Sequence, residues 1–178
     1  TEIVVGLAKL KPPAGRMACQ GGDQTPLVVV DYAHTPDALA NILLALRDVT
    51  QARGGKLICL FGCGGDRDPG KRPQMGVVAT KGADIVCITS DNPRYEVAAD
   101  ILAAIAVGAP SALVIEDRAQ AIKQIIANAA AEDVVLLAGK GHETEQEIRG
   151  QRYPFDDALH AKAALQLWQQ QQLSGAEA

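Results

Sequence analysis

Short runs of β-branched and aliphatic residues alternate along this chain with longer stretches in which apolar side chains recur every three or four positions. Leu27-Val28-Val29-Val30-Asp31 is the first such run, and a polar helix entry, Thr35-Pro36-Asp37, follows it at once. The order predicted is strand, turn, helix. From Asp37 to Arg53, Leu39, Ile42, Leu43, Leu46 and Val49 keep the period of a one-faced helix, and Gly54-Gly55 stops it. The pattern then repeats. A strand is expected over Lys56 to Phe61, a glycine-rich loop over Gly62 to Gly70, a helix over Arg72 to Lys81 and a strand over Ile85 to Thr89. A loop from Ser90 to Arg94 leads into a helix from about Tyr95 to Val107, then a strand at Ala112 to Ile115, a helix at Arg118 to Ala131 and a strand at Val134 to Ala138. Gln146 to Arg152 reads as a short hairpin or edge strand, and Asp156 to Gln170 as a last helix packing Leu159, Leu165 and Trp168.

Strands separated by single helices need crossover connections, so the expected fold is α/β: a Rossmann-like, mostly parallel, doubly wound sheet with helices on both faces and a short antiparallel edge strand near the C-terminus. Residues 1–25 carry two prolines and several glycines and read as the edge of a preceding domain plus a linker, 26–170 as the domain, and 171–178 as a polar mobile tail. Ligands of such sheets bind beyond the carboxyl ends of the strands. That directs attention to four loops: Asp31 to Pro36, Gly62 to Arg72, Ser90 to Arg94 and Gly139 to Glu145.

Composition narrows the partners. No apolar run approaches the roughly 20 residues of a membrane-spanning helix, and the start shows no basic region followed by an apolar stretch. A cytoplasmic chain cut from something longer is expected. A net charge of −4 without a Lys/Arg run, with 3% aromatic residues, offers neither a phosphate-binding face nor a stacking platform, which argues against nucleic acid. Cys19, Cys59, Cys63 and Cys87 lack the paired spacing of a zinc site, and no metal is expected on them or on the three histidines. Cys59 and Cys87 read as core residues inside strands, and Cys63 as a loop residue.

Two loop motifs nearly match phosphate binders and fail. Gly62-Cys63-Gly64-Gly65-Asp66-Arg67 puts Arg67 where a dinucleotide fingerprint needs its third glycine. Gly65 to Lys71 fits G-x-x-x-x-G-K but is followed by Arg72 instead of Ser or Thr, and Asp66 and Asp68 bring negative charge where phosphate should sit. The segment reads instead as a loop holding Arg67, or simply as a solvated charged turn. In Asp91-Asn92-Pro93-Arg94, which ends a strand and opens a helix, Pro93 stiffens the turn and Arg94 offers a planar fork for a carboxylate; standing alone, Asp91 or Asn92 serves equally as a helix cap. In Gly139-Lys140-Gly141-His142-Glu143 the glycines permit close backbone approach, and Glu143 can accept from an ammonium group. His142 fits a structural hydrogen bond as well as a ligand contact.

Asp31-Tyr32-Ala33-His34-Thr35-Pro36, Phe61 to Asp68, Asp91-Asn92-Pro93-Arg94 and Gly139 to Glu143, in that order, resemble the C-terminal domain of the Mur ligase family, and D-N-P-R resembles the signature of members that select meso-diaminopimelate over lysine. The resemblance covers nearly the whole chain from Gly15-Arg16-Met17 onward. It implies that Arg67, Asp91, Asn92, Pro93, Arg94, Gly139 and Glu143 contact meso-diaminopimelate, with Arg67 and Arg94 on carboxylates and Glu143 with the Gly139 backbone at the distal amino-acid centre. Arg16, Asp31, Tyr32 and His34 match nucleotide-facing positions. The implied reaction is amide formation through an acyl phosphate of UDP-N-acetylmuramoyl-L-alanyl-D-glutamate, in a monomer, with ATP and Mg2+ bound mainly upstream. No catalytic residue is assigned within the chain. The stretch Tyr95 to Asp100 is shorter than the acidic, proline-containing stretch of relatives, which puts the geometry beside Arg94 in question. Competing readings are a ligase that adds lysine, a folate-type ligase that adds glutamate, and a non-catalytic Rossmann-like module gripping a small anion; the tetrapeptide argues against the first two.

With no G-K-[ST] phosphate loop in its 178 residues, the isolated chain is expected to show no ATP-dependent ligation. Phosphate release is the measurement, and diaminopimelate-dependent release from this chain alone would refute the expectation.

Overall fold

The computed structural model describes residues 17–176. In chain order the elements are β1 (Ala18–Gly21), β2 (Leu27–Asp31), α1 (Pro36–Arg53), β3 (Leu57–Phe61), α2 (Lys71–Gly82), β4 (Ile85–Ile88), α3 (Ala98–Ala106), β5 (Leu113–Val114), α4 (Arg118–Ala127), β6 (Val134–Ala138), β7 (Glu145–Ile148), β8 (Gln151–Pro154) and α5 (Asp157–Ala176). Six strands form one sheet in the order β1-β2-β6-β3-β4-β5, and β7 and β8 form a separate two-stranded sheet. Every pairing in the large sheet is parallel except β1 with β2.

Alternation along the central strands explains the two-sided burial. Val29, Cys59, Phe61, Leu136 and Ile88 face one core with Leu39, Leu43 and Leu46 of α1, Met75 of α2 and Ile105 of α3. Their neighbours Val28, Val30, Leu60, Val135 and Leu137 face the other, with Ile122 and Ile126 of α4 and Leu165 and Trp168 of α5. Both faces are covered, so the strands read as continuous apolar runs. Full burial of each such side chain contributes about 1.5–3 kcal/mol.

Local chemistry sets the ends. Thr35 caps α1 through its side chain with Pro36 behind it, and Gly54 closes the helix with φ 76°. Arg53 then donates to the carbonyls of Gly22, Thr25, Ala131 and Glu132, which ties together the loops at the amino ends of β2 and β6.

Several expectations are corrected. The large sheet has an antiparallel edge strand, β1, inside the leader read as linker, while the C-terminal segment takes the hairpin form of the two expected for it, as a sheet of its own. Residues 1–16 lie outside the described residues. The strand expected over 112–115 shrinks to an exposed two-residue edge. α3 starts at Ala98, not Tyr95: Arg94 is left-handed at φ 52° and pairs with the hairpin, and the chain is still extended at Val97, φ −73° and ψ 122°. α5 runs through residues 171–176, expected as a mobile tail, and Leu159 is 67% exposed because Ala161, Ala164, Leu165 and Trp168 form the buried stripe instead.

Below the site, Arg118 and Asp157 form a fully buried pair: Nε donates to Oδ1 at 2.8 Å, Nη2 to Oδ2 at 2.7 Å, and Nη2 also to the Ala138 carbonyl at 3.0 Å. The pair fastens α4 and α5 to the carboxyl end of β6. Replacing Arg118 by Met leaves Asp157 buried and unpaired and should lower stability by about 3–5 kcal/mol. Urea denaturation measures this, and a loss below about 1 kcal/mol contradicts the assignment. Burial pushes the thiols of Cys59 and Cys87 up to about 12 and that of Cys63 up to about 11, which leaves all three protonated at neutral pH, whereas Cys19 is exposed. Alkylation of the folded chain should therefore modify Cys19 alone, with the other three reacting only after unfolding, as counted by mass spectrometry.

Candidate functional site

The loops after β2, β3, β4 and β6 converge at the carboxyl edge of the sheet. The β4 loop is held by its own polar side chains. Asn92, 9% exposed, has every side-chain group engaged: Oδ1 accepts from Lys140 Nζ and from the Glu147 backbone N–H, both at 3.0 Å, while Nδ2 donates to Glu143 Oε2 at 2.9 Å. It therefore ties the β4 loop to the β6 loop and to the β7–β8 hairpin, and it caps no helix.

Arg94 sits in the left-handed region at a cost of about 1–2 kcal/mol. Two backbone bonds to the hairpin hold it there: its N–H donates to the Glu147 carbonyl at 3.0 Å, and its carbonyl accepts from the Arg149 N–H. The guanidinium donates from Nη1 to the Gly65 carbonyl at 2.7 Å and stands 3.4 Å from Glu147 Oε2 through Nε.

The glycine-rich loop after β3 is shaped to meet the β4 loop. A Cβ on Gly65 would lie 2.0 Å from the Pro93 carbonyl oxygen, and one on Gly62 2.2 Å from that of Thr89. Gly65 N–H donates to the Asn92 carbonyl at 2.9 Å. Glu96 completes the join, accepting from the Asp66 N–H at 2.6 Å and from Arg72 Nη2 at 2.8 and 2.9 Å. The Arg72 guanidinium, and after it the Asp66 N–H, hold the Glu96 carboxyl below its ordinary range. Arg67 is exposed: a Cβ on Gly64 would lie 2.8 Å from Arg94 Nη1 and 3.8 Å from Arg67 Cγ, so the two arginines border the same glycine.

Residues of this loop do not fit a magnesium–phosphate site. The Gly70 N–H is taken by Asp68 Oδ1 and the Asp66 N–H by Glu96, while Lys71 Nζ donates to the His34 carbonyl. Among the described residues no group of three or more His, Cys, Asp or Glu side chains could hold a metal ion.

Sequence reading passed over Lys140, which lies at the centre of the site with no solvent exposure. Its Nζ donates to Asn92 Oδ1 at 3.0 Å and to the Glu145 carbonyl at 2.7 Å, and stands 3.5 Å from Glu143 Oε2 and 3.6 Å from Asp91 Oδ1. Asp91 Oδ1 is buried and otherwise without a partner. Gly139, at φ 114°, turns the chain so that Lys140 points inward.

A cavity of about 400 Å³ opens above this floor, lined by Asn92, Arg94, His142, Glu143, Glu147 and Arg152 among others. A larger one, about 670 Å³, lies on the opposite face of the hairpin against Tyr95, Ile148 and Tyr153, since alternate hairpin residues point to opposite sides. The smaller is lined almost wholly by polar and charged side chains, whereas the larger mixes Glu96, Glu116, Arg149 and Gln151 with Pro93, Val97, Ala98 and Ile148. Asn92, Arg94 and Glu143 thus share one cavity; Asp91 is joined to it through Lys140, Pro93 and Gly139 are chain neighbours of Asn92, Arg94 and Lys140, and Arg67 is not among its lining residues. Glu96, Glu147 and Arg152 also escaped the sequence reading, because their roles depend on pairing between distant segments.

The positions read as nucleotide-facing form an adjacent group. The Tyr32 ring centroid is 4.6 Å from that of His34 and 5.6 Å from that of His142. Asp31 is occupied structurally, accepting from the N–H groups of Met17 and Ala33. Arg16 lies outside the described residues. No helix among the described residues is long and apolar enough to cross a membrane.

Residues 15–141 match the family described as Mur ligase, glutamate ligase domain. A UDP-N-acetylmuramoyl-L-alanyl-D-glutamate–2,6-diaminopimelate ligase from Ralstonia nicotianae is 56% identical over 167 residues, covering 92% of this chain and 32% of that protein. A solved structure of a ligase with the same name superposes with a TM-score of 0.79 at 45% identity, over 89% of this chain and 33% of the other. A bifunctional folylpolyglutamate synthase/dihydrofolate synthase, solved with Mn, AMPPNP and L-glutamate bound, aligns at a TM-score of 0.57 and 26% identity, over 76% of this chain and 30% of that one. The chain spans about a third of the length of the curated relatives it matches. A match over residues 15–141 and identity above half with full ligases place this chain in the Mur ligase family, as its glutamate ligase domain.

Proposed function

We propose that this domain receives meso-diaminopimelate in a ligase that joins it to UDP-N-acetylmuramoyl-L-alanyl-D-glutamate in cell-wall peptidoglycan synthesis. The observation that carries the reading is the shared cavity of Asn92, Arg94 and Glu143 over the buried Lys140. The relatives' names supply the amino acid that such a cavity would hold. The distal centre of diaminopimelate presents an ammonium and a carboxylate side by side. Glu143 offers the acceptor for the first and Arg94 the fork for the second, while the exposed Arg67 meets the other carboxylate. Asp91, Asn92 and Lys140 keep these groups in place and touch the ligand less directly. Tyr32 and His34, one ring away across His142, face the nucleotide side. ATP and Mg2+ are assigned to the portion of the ligase outside this chain, since the loop over 65–71 has its N–H groups engaged. Within this chain the chemistry is positioning: the amine is held in one orientation for attack and water is displaced from around it. The reading also makes the enzyme a cytoplasmic monomer.

Lysine carries the distal ammonium but no carboxylate beside it, so its binding leaves the Arg94 fork unanswered. Rejection on that basis is stronger than for a missing methylene. In the complete ligase, Arg94→Ala should lower kcat/KM for meso-diaminopimelate by roughly a hundredfold, as loss of two charge-assisted bonds implies. Steady-state kinetics with meso-diaminopimelate and lysine in competition decides the point. Unchanged preference for diaminopimelate means that Arg94 does not select it.

A further inference from the structure

The hairpin β7–β8 contributes a second guanidinium to the cavity. Its register sets Arg152 directly opposite Glu147, and Glu147 Oε2 stands 3.4 Å from Arg94 Nε. Cross-strand partners share a face, so Arg94, Glu147 and Arg152 form a row of alternating charge along one wall. Arg152 lines the same cavity as Asn92, Arg94 and Glu143, whereas Arg67 lies outside that lining. The only ion pair Arg152 makes among the described residues is with Glu145 Oε2 at 3.3 Å, between side chains 69% and 54% exposed. A pair that open contributes little and exchanges readily for another partner. Arg94 is more committed, with Nη1 bonded to the Gly65 carbonyl and its backbone fixed by the hairpin.

We propose that Arg152 is a specificity-determining residue that leaves Glu145 to grip, together with Arg94, the distal carboxylate of the incoming amino acid. The proposal rests on the reading of the cavity as the diaminopimelate site. An ammonium on Glu143 and a carboxylate between two guanidiniums, one from the β4 loop and one from the hairpin, make a receptor for a complete amino-acid centre. A simple diamine fills half of it. The hairpin then does more than brace Arg94, since ligand binding draws the β8 side chain onto the β4 loop.

The test compares the complete ligase with its Arg152→Ala, Arg152→Lys and Arg94→Ala variants, measuring kcat and KM for meso-diaminopimelate and for lysine, and the unfolding temperature. Arg152→Ala should raise KM for meso-diaminopimelate about tenfold with little change in kcat, as loss of one charge-assisted bond implies, and Arg152→Lys should recover part of the loss. Preference over lysine should fall by the same factor, and the exposed position should leave the unfolding temperature unchanged. An unaltered diaminopimelate KM, or equal losses for both amino acids, overturns the role of Arg152. If Arg94→Ala abolishes the preference and Arg152→Ala does not, only this inference fails. If the parent ligase does not use diaminopimelate, or Arg94→Ala leaves its preference intact, the reading of the cavity fails and the inference with it.

Discussion

A lysine ammonium with no solvent must find its partners in the protein, and around Lys140 that requirement organises the site. Removing such a charge from water costs several kcal/mol unless carboxylates and carbonyls replace the lost hydration. The replacements come from three segments: Asp91 and Asn92 from the β4 loop, Glu143 from the β6 loop, and the Glu145 carbonyl from the start of the hairpin. Each is therefore fixed relative to the others. The cavity floor is cross-linked by these contacts, with Asn92 accepting from Lys140 while donating to Glu143. Loops that would otherwise move independently become one surface.

The same logic explains the glycines after β3. Their spacing resembles a phosphate loop, yet the N–H groups that would cradle phosphate are answered within the protein, by Asn92, Glu96 and Asp68. What these glycines supply is room for the Thr89 and Pro93 carbonyls to pass close by. Two loops packed at that distance bring Arg67 and Arg94 beside Gly64, and of the two side chains Arg94 is the one bonded in place, to the Gly65 carbonyl.

The sheet was legible in the sequence because its signals are local. Continuous apolar runs of β-branched residues mark strands buried on both faces, and a three-to-four spacing from Leu39 to Val49 marks a helix whose five apolar positions are all buried. The four loops followed from strand polarity alone. Elements set by distant partners were less legible. β1 has a half-buried alternation too weak to separate from a linker, and it is a strand because β2 needs an antiparallel neighbour. α3 starts late, after Arg94, whose left-handed backbone is imposed by Glu147 and Arg149 far along the chain. Asp91, Asn92, Arg94 and Glu143 were visible as a motif. Lys140 stood in the Gly139–Glu143 motif without a role, because its burial depends on partners from Asn92 and Asp91 about fifty residues away, and Arg152 lies on a strand whose side chains are all exposed.

Strain at Arg94 ties the hairpin to the binding function. A non-glycine residue at φ 52° is stable only while the surrounding structure over-determines it, and here two backbone hydrogen bonds to β7 and the β7–β8 turn do so. The isolated hairpin has no sheet to join and would be marginal by itself. Each element thus supplies what the other lacks: the β4 loop gives the hairpin a parallel bridge at Arg94–Ile148, and the hairpin holds Arg94 in the one backbone state that sends its guanidinium toward Gly65 and the cavity. A guanidinium ordered in advance loses less side-chain freedom on meeting a carboxylate, so under the proposed function the backbone strain lowers the cost of binding. On the proposed reading, selection by Arg94 is a property of the fold, and the adjustable contribution comes from exposed side chains such as Arg152.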